Sequence, residues 1–355
     1  MAGTMTDYIT EQPRVLRSIL GDRKENTLRF TEEWKRGSPD RLYLVASGTS
    51  NNAAAMAVPF MEELLGTEVR VAPPTLLPRV YGNSPFALFV SQGGNSNNTI
   101  SAIEQWKGIH SLALTGQKEC RINEIHPHVS IGCGPETAGP KTKGYTATVM
   151  TLYLLALETA LALGRISGEE YRSYIGVLET AVENMEGNIR RCETWLSENL
   201  ESLKKIEKCF VVARTTAFPV AQEGALKILE TMLVPAAAYE FEEYLHGPIC
   251  ALDDRMAGIY LLPESGDGAF NRMNRLVEFH RGISPLVFTA GSLGGDKRDC
   301  GLALSGRWYT EPFELILPCQ IMGAKLPAVL GIEDNGSKVY KALDSALNIK
   351  FAGGI

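Results

Sequence analysis

The sequence predicts an α/β protein: two tandem, doubly wound parallel sheets, each an α-β-α sandwich, preceded by an N-terminal helical segment. Three observations predict it. Short, wholly apolar runs alternate with helix-length segments, as expected of strands buried on both faces of a parallel sheet. The turns that follow several of these runs are rich in Gly, Ser, Thr and Asn. The order is then written a second time: Arg41-Leu-Tyr-Leu-Val-Ala46 lines up with Lys208-Cys-Phe-Val-Val-Ala213, a shift of 167 residues. Repetition of a whole strand-and-helix sentence points to two domains of one ancestry.

Taken in order, residues 7–36 read as helical and amphipathic, ending at the breaker Gly37-Ser38-Pro39. The run Leu42–Ala46 reads as a buried strand that turns through Ser47-Gly48-Thr49-Ser50 into a small-residue helix. A second strand, Ala87–Val90, enters the loop 91–99 and another helix, and a third, Ser111–Thr115, ends at Gly116. Val149 to Leu163 is the most apolar stretch, but Glu158 interrupts it and it is too short for a membrane span, so it reads as a buried helix. A Glu- and Arg-rich stretch, 167–205, reads as a helical connector. In the second copy Ala257-Gly-Ile-Tyr pairs with Ala87-Leu-Phe-Val, and Leu286-Val-Phe-Thr with Leu112-Ala-Leu-Thr. The ungapped register also sets Thr49 on Thr216, Ala54 on Ala221 and Glu63 on Glu230. The expected organisation is therefore a helical segment (1–37), a first domain (38–166), the connector (167–205) and a second domain with a C-terminal tail (206–355).

Composition narrows the function. The 355 residues are 45% hydrophobic and 21% charged, with a net charge of −6, which is ordinary globular composition and the wrong sign for a protein that tracks a nucleic-acid backbone. Seven scattered cysteines with no C-x-x-C pair imply reduced thiols, no disulfide frame and no zinc site. No signal peptide is evident at the N-terminus, so a cytoplasmic protein is expected, with no membrane partner. His126-Pro-His128 is too close for a helical metal pair, so neither a metal nor any other cofactor is expected.

Two regions could carry chemistry. The loop Ser91-Gln92-Gly93-Gly94-Asn95-Ser96-Asn97-Asn98-Thr99 joins a strand to a helix N-terminus, where backbone N–H groups and partial positive charge suit an anion. Ser47–Ser50 lies at an equivalent end, and ligands of open parallel sheets bind there. With neither a G-x-x-x-x-G-K-[ST] nor a G-x-G-x-x-G loop, a phosphoester is favoured over a nucleotide; a plain N-cap and turn is the alternative for either loop alone. The second region is Glu223-Gly-Ala-Leu-Lys227-Ile-Leu-Glu230, whose charges fall at i, i+4 and i+7 and share one helix face. On composition alone this is a surface ladder of ion pairs; its apolar flanks argue for a buried helix, where a carboxylate has a raised pKa suited to proton transfer. His246 follows, at the head of a Gly-Pro turn, and a structural histidine is the alternative there.

These residues carry a resemblance. The chain resembles the double sugar-isomerase (SIS) domain family, which includes the isomerase half of glucosamine-6-phosphate synthase and its deglycase and deaminase relatives, all flavodoxin-like in fold. Glu11-Gln12-Pro13 is similar to the family's E-Q-P segment, Ser47-Gly-Thr-Ser50 to its G-T-S loop, and Ser91-Gln92 to the start of S-Q-S-G-E-T. Gly134-Pro-Glu136 with Lys141-Thr-Lys143 resembles G-P-E…S-T-K. The specific part is Glu223-Gly-Ala-Leu-Lys227 with Glu230, then His246-Gly-Pro248, which matches E-G-A-L-K-x-x-E…H-G-P at the family's spacing.

The resemblance implies that Ser50, Ser91, Gln92, Ser96 and Thr99 hold a substrate phosphate, with Thr49 beside the sugar. It implies that Glu230 moves a proton between C1 and C2, that Lys227 tunes Glu230, and that His246 assists ring opening, in this family sometimes from the partner subunit of a homodimer or larger homo-oligomer. Lys350 falls where the synthase carries a Schiff-base lysine. Two departures stand out. Gly93 and Asn95 replace the usual Ser and Glu, so a Gly93 backbone N–H stands in for one hydroxyl, and Lys141 replaces a serine, adding a cation for the phosphate or for a carboxylate on the substrate. With no N-terminal Cys and no glutaminase segment ahead of the first SIS region, glutamine-dependent synthesis is not expected. The expected activity is deglycation or deamination of an amine-linked hexose 6-phosphate. Aldose–ketose isomerisation, ammonia-dependent amination and a non-catalytic sugar-phosphate sensor remain as alternatives.

Overall fold

The computed structural model describes residues 3–333 and 337–350. Two helices open the chain, α1 (Met5–Gly21) and α2 (Arg23–Gly37). The first half then runs β1 (Arg41–Ala46), α3 (Gly48–Leu65), β2 (Glu68–Ala72), β3 (Pro85–Ser91), α4 (Asn97–Gln105), β4 (His110–Thr115), α5 (Arg121–Ile125), β5 (His128–Ser130) and α6 (Lys143–Ala162). The 36-residue helix α7 (Gly168–Leu203) follows, begun by a capping box between Ser167 and Glu170. The second half runs β6 (Cys209–Ala213), α8 (Phe218–Met232), β7 (Ala236–Glu240), α9 (Phe241–Leu245), β8 (Ala257–Leu262), α10 (Phe270–Arg281), β9 (Val287–Gly291) and β10 (Asp299–Gly301). It closes with α11 (Glu311–Glu314), α12 (Leu317–Val329) and α13 (Ser337–Leu347).

Each half holds a five-stranded parallel sheet, in the orders β2-β1-β3-β4-β5 and β10-β9-β8-β6-β7. Reversing the second and pairing β1 with β6 makes the two orders identical, so the repeat read from the sequence is a repeat of topology. In both sheets the order reverses beside the first strand, which opens a crevice at the carboxyl ends of β1 and β3 and another at those of β6 and β8.

Four strands escape the sequence reading: β2, β5, β7 and β10. All four are sheet edges. They are short or half-exposed, β2 alternating and β7 half-buried throughout, so they lack the continuous apolar run of a central strand. Residues 7–36 are helical as read, in two helices: Asp22 leaves helical geometry (φ −89°, ψ 6°) and separates α1 from α2.

The halves share one continuous apolar core. Helix α6 is long and apolar enough to cross a bilayer, but 83% of its apolar window is buried inside the protein, where it packs on α1, α2 and α3. Helix α1 reaches both halves, packing on α6, α7 and α12. Within it Pro13 has no N–H to give the Ile9 carbonyl. The buried Gln12 amide donates to that carbonyl instead (3.3 Å) and also to Gln320 Oε1 on α12 (2.9 Å), while Gln12 Oε1 accepts from Thr146 on α6 (2.8 Å).

Candidate active site

Helix α3 starts directly after β1, with Ser47 as its N-cap and Gly48 at φ +55°. Thr49 and Ser50 therefore sit in its first turn, both half-buried. At the end of β3 the loop turns sharply: Gly94 (φ +65°) donates its N–H to Ser91 Oγ at 3.2 Å, and a Cβ there would stand 2.1 Å from Cys120 Sγ. Helix α4 then begins after Ser96. Asn98 Nδ2 donates to Ser47 Oγ (3.0 Å), which ties the two loops across the switch point. Ser91, Gln92 and Thr99 are buried, whereas Gly93 and Ser96 are half-buried. The Gln92 amide donates to Glu136 (3.2 Å), a buried carboxylate that also accepts from Thr142 N and Gly144 N at 2.8 Å each, at the start of α6.

The C-terminal segment comes back to this loop. Ile349 O accepts from the Asn97 N–H (3.1 Å), and Lys350 Nζ donates to Ser96 Oγ (3.3 Å). The Lys350 ammonium is crowded by protein, which pulls its pKa below the usual lysine value even though the residue as a whole is exposed.

Helix α8 packs against α3 across the seam between the halves. Glu223 and Lys227 are 0% exposed, while the Glu230 side chain keeps 30% of its surface. The Lys227 ammonium bonds Glu223 (3.1 Å), Glu230 and Thr49 Oγ1 (3.4 Å). Glu223 accepts further from Thr49 Oγ1 (3.0 Å) and Asn52 Nδ2 (2.8 Å). Burial would depress Lys227, but two flanking carboxylates more than compensate and hold it charged. Burial pushes the Glu223 carboxyl up, against the pull of Lys227 and Asn52. The shared face read from the spacing is thus an ion-paired network rather than a surface ladder, and its fully buried carboxylate is Glu223.

The other expected residues are less convergent. Lys141 Nζ is held by its own loop, at 2.7 Å from the carbonyls of both Glu136 and Ala138. Its pKa is lowered first by burial and then by the fields of Lys350 and Lys227, which places three cations around one region. His246 is exposed at the C-terminus of α9, and its ring makes no hydrogen bond or ion pair with the described residues. Sequence reasoning passed over Asn52 and the structural part played by Glu136. Asn52 had a signal, an amide two residues after Ser50 at a helix start.

No protein-family model matches the chain. A glutamine–fructose-6-phosphate aminotransferase (isomerizing) from Gloeobacter violaceus is 30% identical over 270 residues, 71% of this chain and 43% of the relative. Its counterpart from Halalkalibacterium halodurans is 26% identical over 333 residues, 90% of this chain and 54% of the relative. The chain spans about half the length of these curated relatives. Among solved structures, a candidate phosphosugar isomerase from Clostridium difficile superposes with a TM-score of 0.87 at 26% identity, covering 96% of this chain and 98% of that one. Over most of its length the chain is thus similar to isomerising aminotransferases and to a phosphosugar isomerase, and its two parallel sheets match a tandem SIS-domain fold. The C-terminal domain of glucosamine-fructose-6-phosphate aminotransferase from Francisella tularensis, at TM-score 0.80 and 18% identity over 92% of this chain and 96% of that one, shares the SIS fold.

Proposed function

We propose that this SIS protein is a phosphosugar enzyme that moves a proton between C1 and C2 of a hexose 6-phosphate and, more finely, that it is a deglycase or deaminase releasing an amine from that sugar. The observation that carries the reading is the Lys227 ammonium, which joins Glu223 and Glu230 of one half to Thr49 of the other, beside the hydroxyl-lined crevice. A base needs to be ionised and within reach of solvent-borne substrate. Glu230 has both a permanent counter-ion and an exposed edge.

In this reading Ser50, Ser91, Ser96, Thr99 and the Gly93 N–H hold the 6-phosphate, with Gln92 oriented by Glu136. Lys350 adds charge from the tail, and Lys141 does so once freed from its carbonyls. Binding energy at the remote phosphate fixes C1 and C2 against Glu230. The Glu230 carboxylate takes the proton from the carbon next to the carbonyl or imine carbon, leaving an enaminol, and returns it to the neighbouring carbon. When nitrogen is attached, the product is an imine; water adds to its carbon, the C–N bond breaks, and the amine departs with the proton. His246, exposed and without a partner among the described residues, is free to reach a second copy, which supports a shared site in a dimer. Plain aldose–ketose isomerisation uses the same carboxylate, and the likeness to the Clostridium difficile protein favours it as the second reading.

A substrate screen tests this. Purified protein meets fructosyl- and glucosyl-amino acid 6-phosphates, glucosamine 6-phosphate and fructose 6-phosphate, with amine and sugar phosphate both quantified. Amine release from one conjugate is the expected result. Interconversion without amine moves the assignment to isomerase, and binding without turnover to a sensor.

A further inference from the structure

The wiring around the Lys227 ammonium singles out a residue that the proton-transfer reading leaves without a role. Among the described residues, the hydrogen-bond partners of the buried Glu223 are all donors. Its Oε1 accepts from Thr49 Oγ1 (3.0 Å) and faces Lys227 (3.1 Å), and its Oε2 accepts from Asn52 Nδ2 (2.8 Å). The Thr49 hydroxyl has one proton, which goes to Glu223, so its 3.4 Å contact with Lys227 is one in which it accepts. The ammonium thus divides its donors between Glu223, Glu230 and Thr49. Asn52 differs from the other two partners of Glu223 in having no bond to Lys227, and it is the partner that Oε2 has.

We propose that Asn52 is a positioning residue for proton transfer: its grip on Glu223 Oε2 keeps the Lys227 ammonium shared between Glu223 and Glu230, and so keeps Glu230 a competent base. The inference rests on Glu230 being that base. It reaches across the seam, because Asn52 stands on α3 of the first half and is itself 8% exposed. A carboxylate oxygen buried without a donor is costly. Without the amide, Glu223 relieves that cost by taking up a proton. The undivided ammonium then faces Glu230 alone, and a carboxylate held against a whole positive charge is a weaker base.

Burial already pushes the Glu223 carboxyl up, and the Asn52 bond opposes it. The other titratable groups that face Glu223 are Lys227 and Glu230 on α8 and the buried Tyr145 phenol on α6, while α3 brings the neutral Thr49 and Asn52. On α12 the Cys319 thiol lies against Gly224, the next residue along, and burial pushes it up to about 12, so it stays neutral. Lys141 stands near enough to Lys227 to feel its field.

The test follows kcat and KM against pH for the sugar phosphate that turns over in the screen. Asn52→Ala is expected to lower kcat by about tenfold, to leave KM within about twofold, and to move the acid limb of kcat up by about one pH unit, the loss of one hydrogen bond to a charged group. In a Glu223→Gln background the same substitution should change none of these, since it acts through Glu223. Asn52→Leu, close to Asn in volume and without a donor, carries the same expectations if the alanine variant fails to fold. Denaturant midpoints supply a readout that needs no turnover. The stability cost of Asn52→Ala should grow as pH rises, because the folded chain must then ionise Glu223 without its donor, and should be constant with pH in the Glu223→Gln background. An acid limb that stays in place, a rise in KM instead of a fall in kcat, additive effects with Glu223→Gln, or a cost that ignores pH overturns the proposal. Turnover that survives Glu230→Gln is a separate result: it removes the base, and this inference with it, whatever the Asn52 variants do.

Discussion

Replacing Lys227 by Met tests the buried network directly. The substitution keeps the volume of the side chain and removes the ammonium that sits between two carboxylates, one of them fully buried. Breaking a buried pair by removing one partner costs about 3–5 kcal/mol, because the remaining charge has nothing to face. At about 2.1 cal/mol/K of unfolding entropy per residue, the 355-residue chain would lose roughly 4–7 °C of melting temperature. The decisive comparison is the double variant Lys227→Met/Glu223→Gln. Neutralising the stranded carboxylate recovers much of the loss, whereas Glu223→Gln alone destabilises, since it sets an amide N–H against the Thr49 and Asn52 donors. Urea denaturation of the four proteins yields the coupling energy. A single-variant cost below about 1 kcal/mol, or a double variant no more stable than Lys227→Met, would refute a desolvated pair.

Glu230→Gln is expected to keep sugar-phosphate binding by calorimetry and to lose turnover, because the phosphate loops are untouched; unchanged turnover removes Glu230 as the base. Gly93→Ser meets nothing within 4 Å of its new Cβ and needs no positive φ; it should leave the melting temperature unchanged and tighten sugar 6-phosphate binding by about tenfold through an added hydroxyl on the phosphate. Gly94→Ala combines φ +65° with a Cβ 2.1 Å from Cys120 Sγ, so it should lower the melting temperature measurably. Stability should fall as pH rises from the unfolded carboxyl value to about 7, because Glu311 and Glu314 are raised from 4.5 to about 7, first by burial, and keep protons in the folded state that the unfolded chain has released. His280, lowered from 6.5 to about 4 by burial, and His126, also lowered by burial, work the other way over an overlapping range, while the raised Glu223 adds to the fall; denaturant midpoints across pH 4.5–7 should fall less steeply in the Glu311→Gln/Glu314→Gln variant than in the parent, and an unchanged slope removes these two carboxyls as its source.

What the sequence made legible follows the degree of burial. The six strands read from it are β1, β3 and β4 and their copies β6, β8 and β9, the interior of each sheet, where both faces demand apolar side chains. The four it missed are edges, and an edge strand is specified by its neighbour's hydrogen bonds more than by its own side chains. The site shows a similar division. The i, i+4, i+7 spacing on α8 showed that three charges share a face, but not that Asn52 and Thr49 arrive from another helix to meet them, since that depends on how α3 packs on α8. Only tertiary structure brings Lys350, 254 positions away in sequence, to Ser96. His246 carried a motif and no geometry.

The Gln12 contacts have a consequence for how the chain folds. The residues bonded by that one side chain lie 134 and 308 positions downstream. Contacts of such long sequence separation form late, since a very large loop must close before they return any stability. A nascent chain holds α1 and α6 long before α12 leaves the ribosome, so the buried Gln12 amide stays without its Gln320 acceptor throughout synthesis of the second half. The packing of α1 is therefore completed by a helix made after the strands of both sheets. Docking of α12, rather than formation of either sheet, becomes the step that commits this protein to its native state.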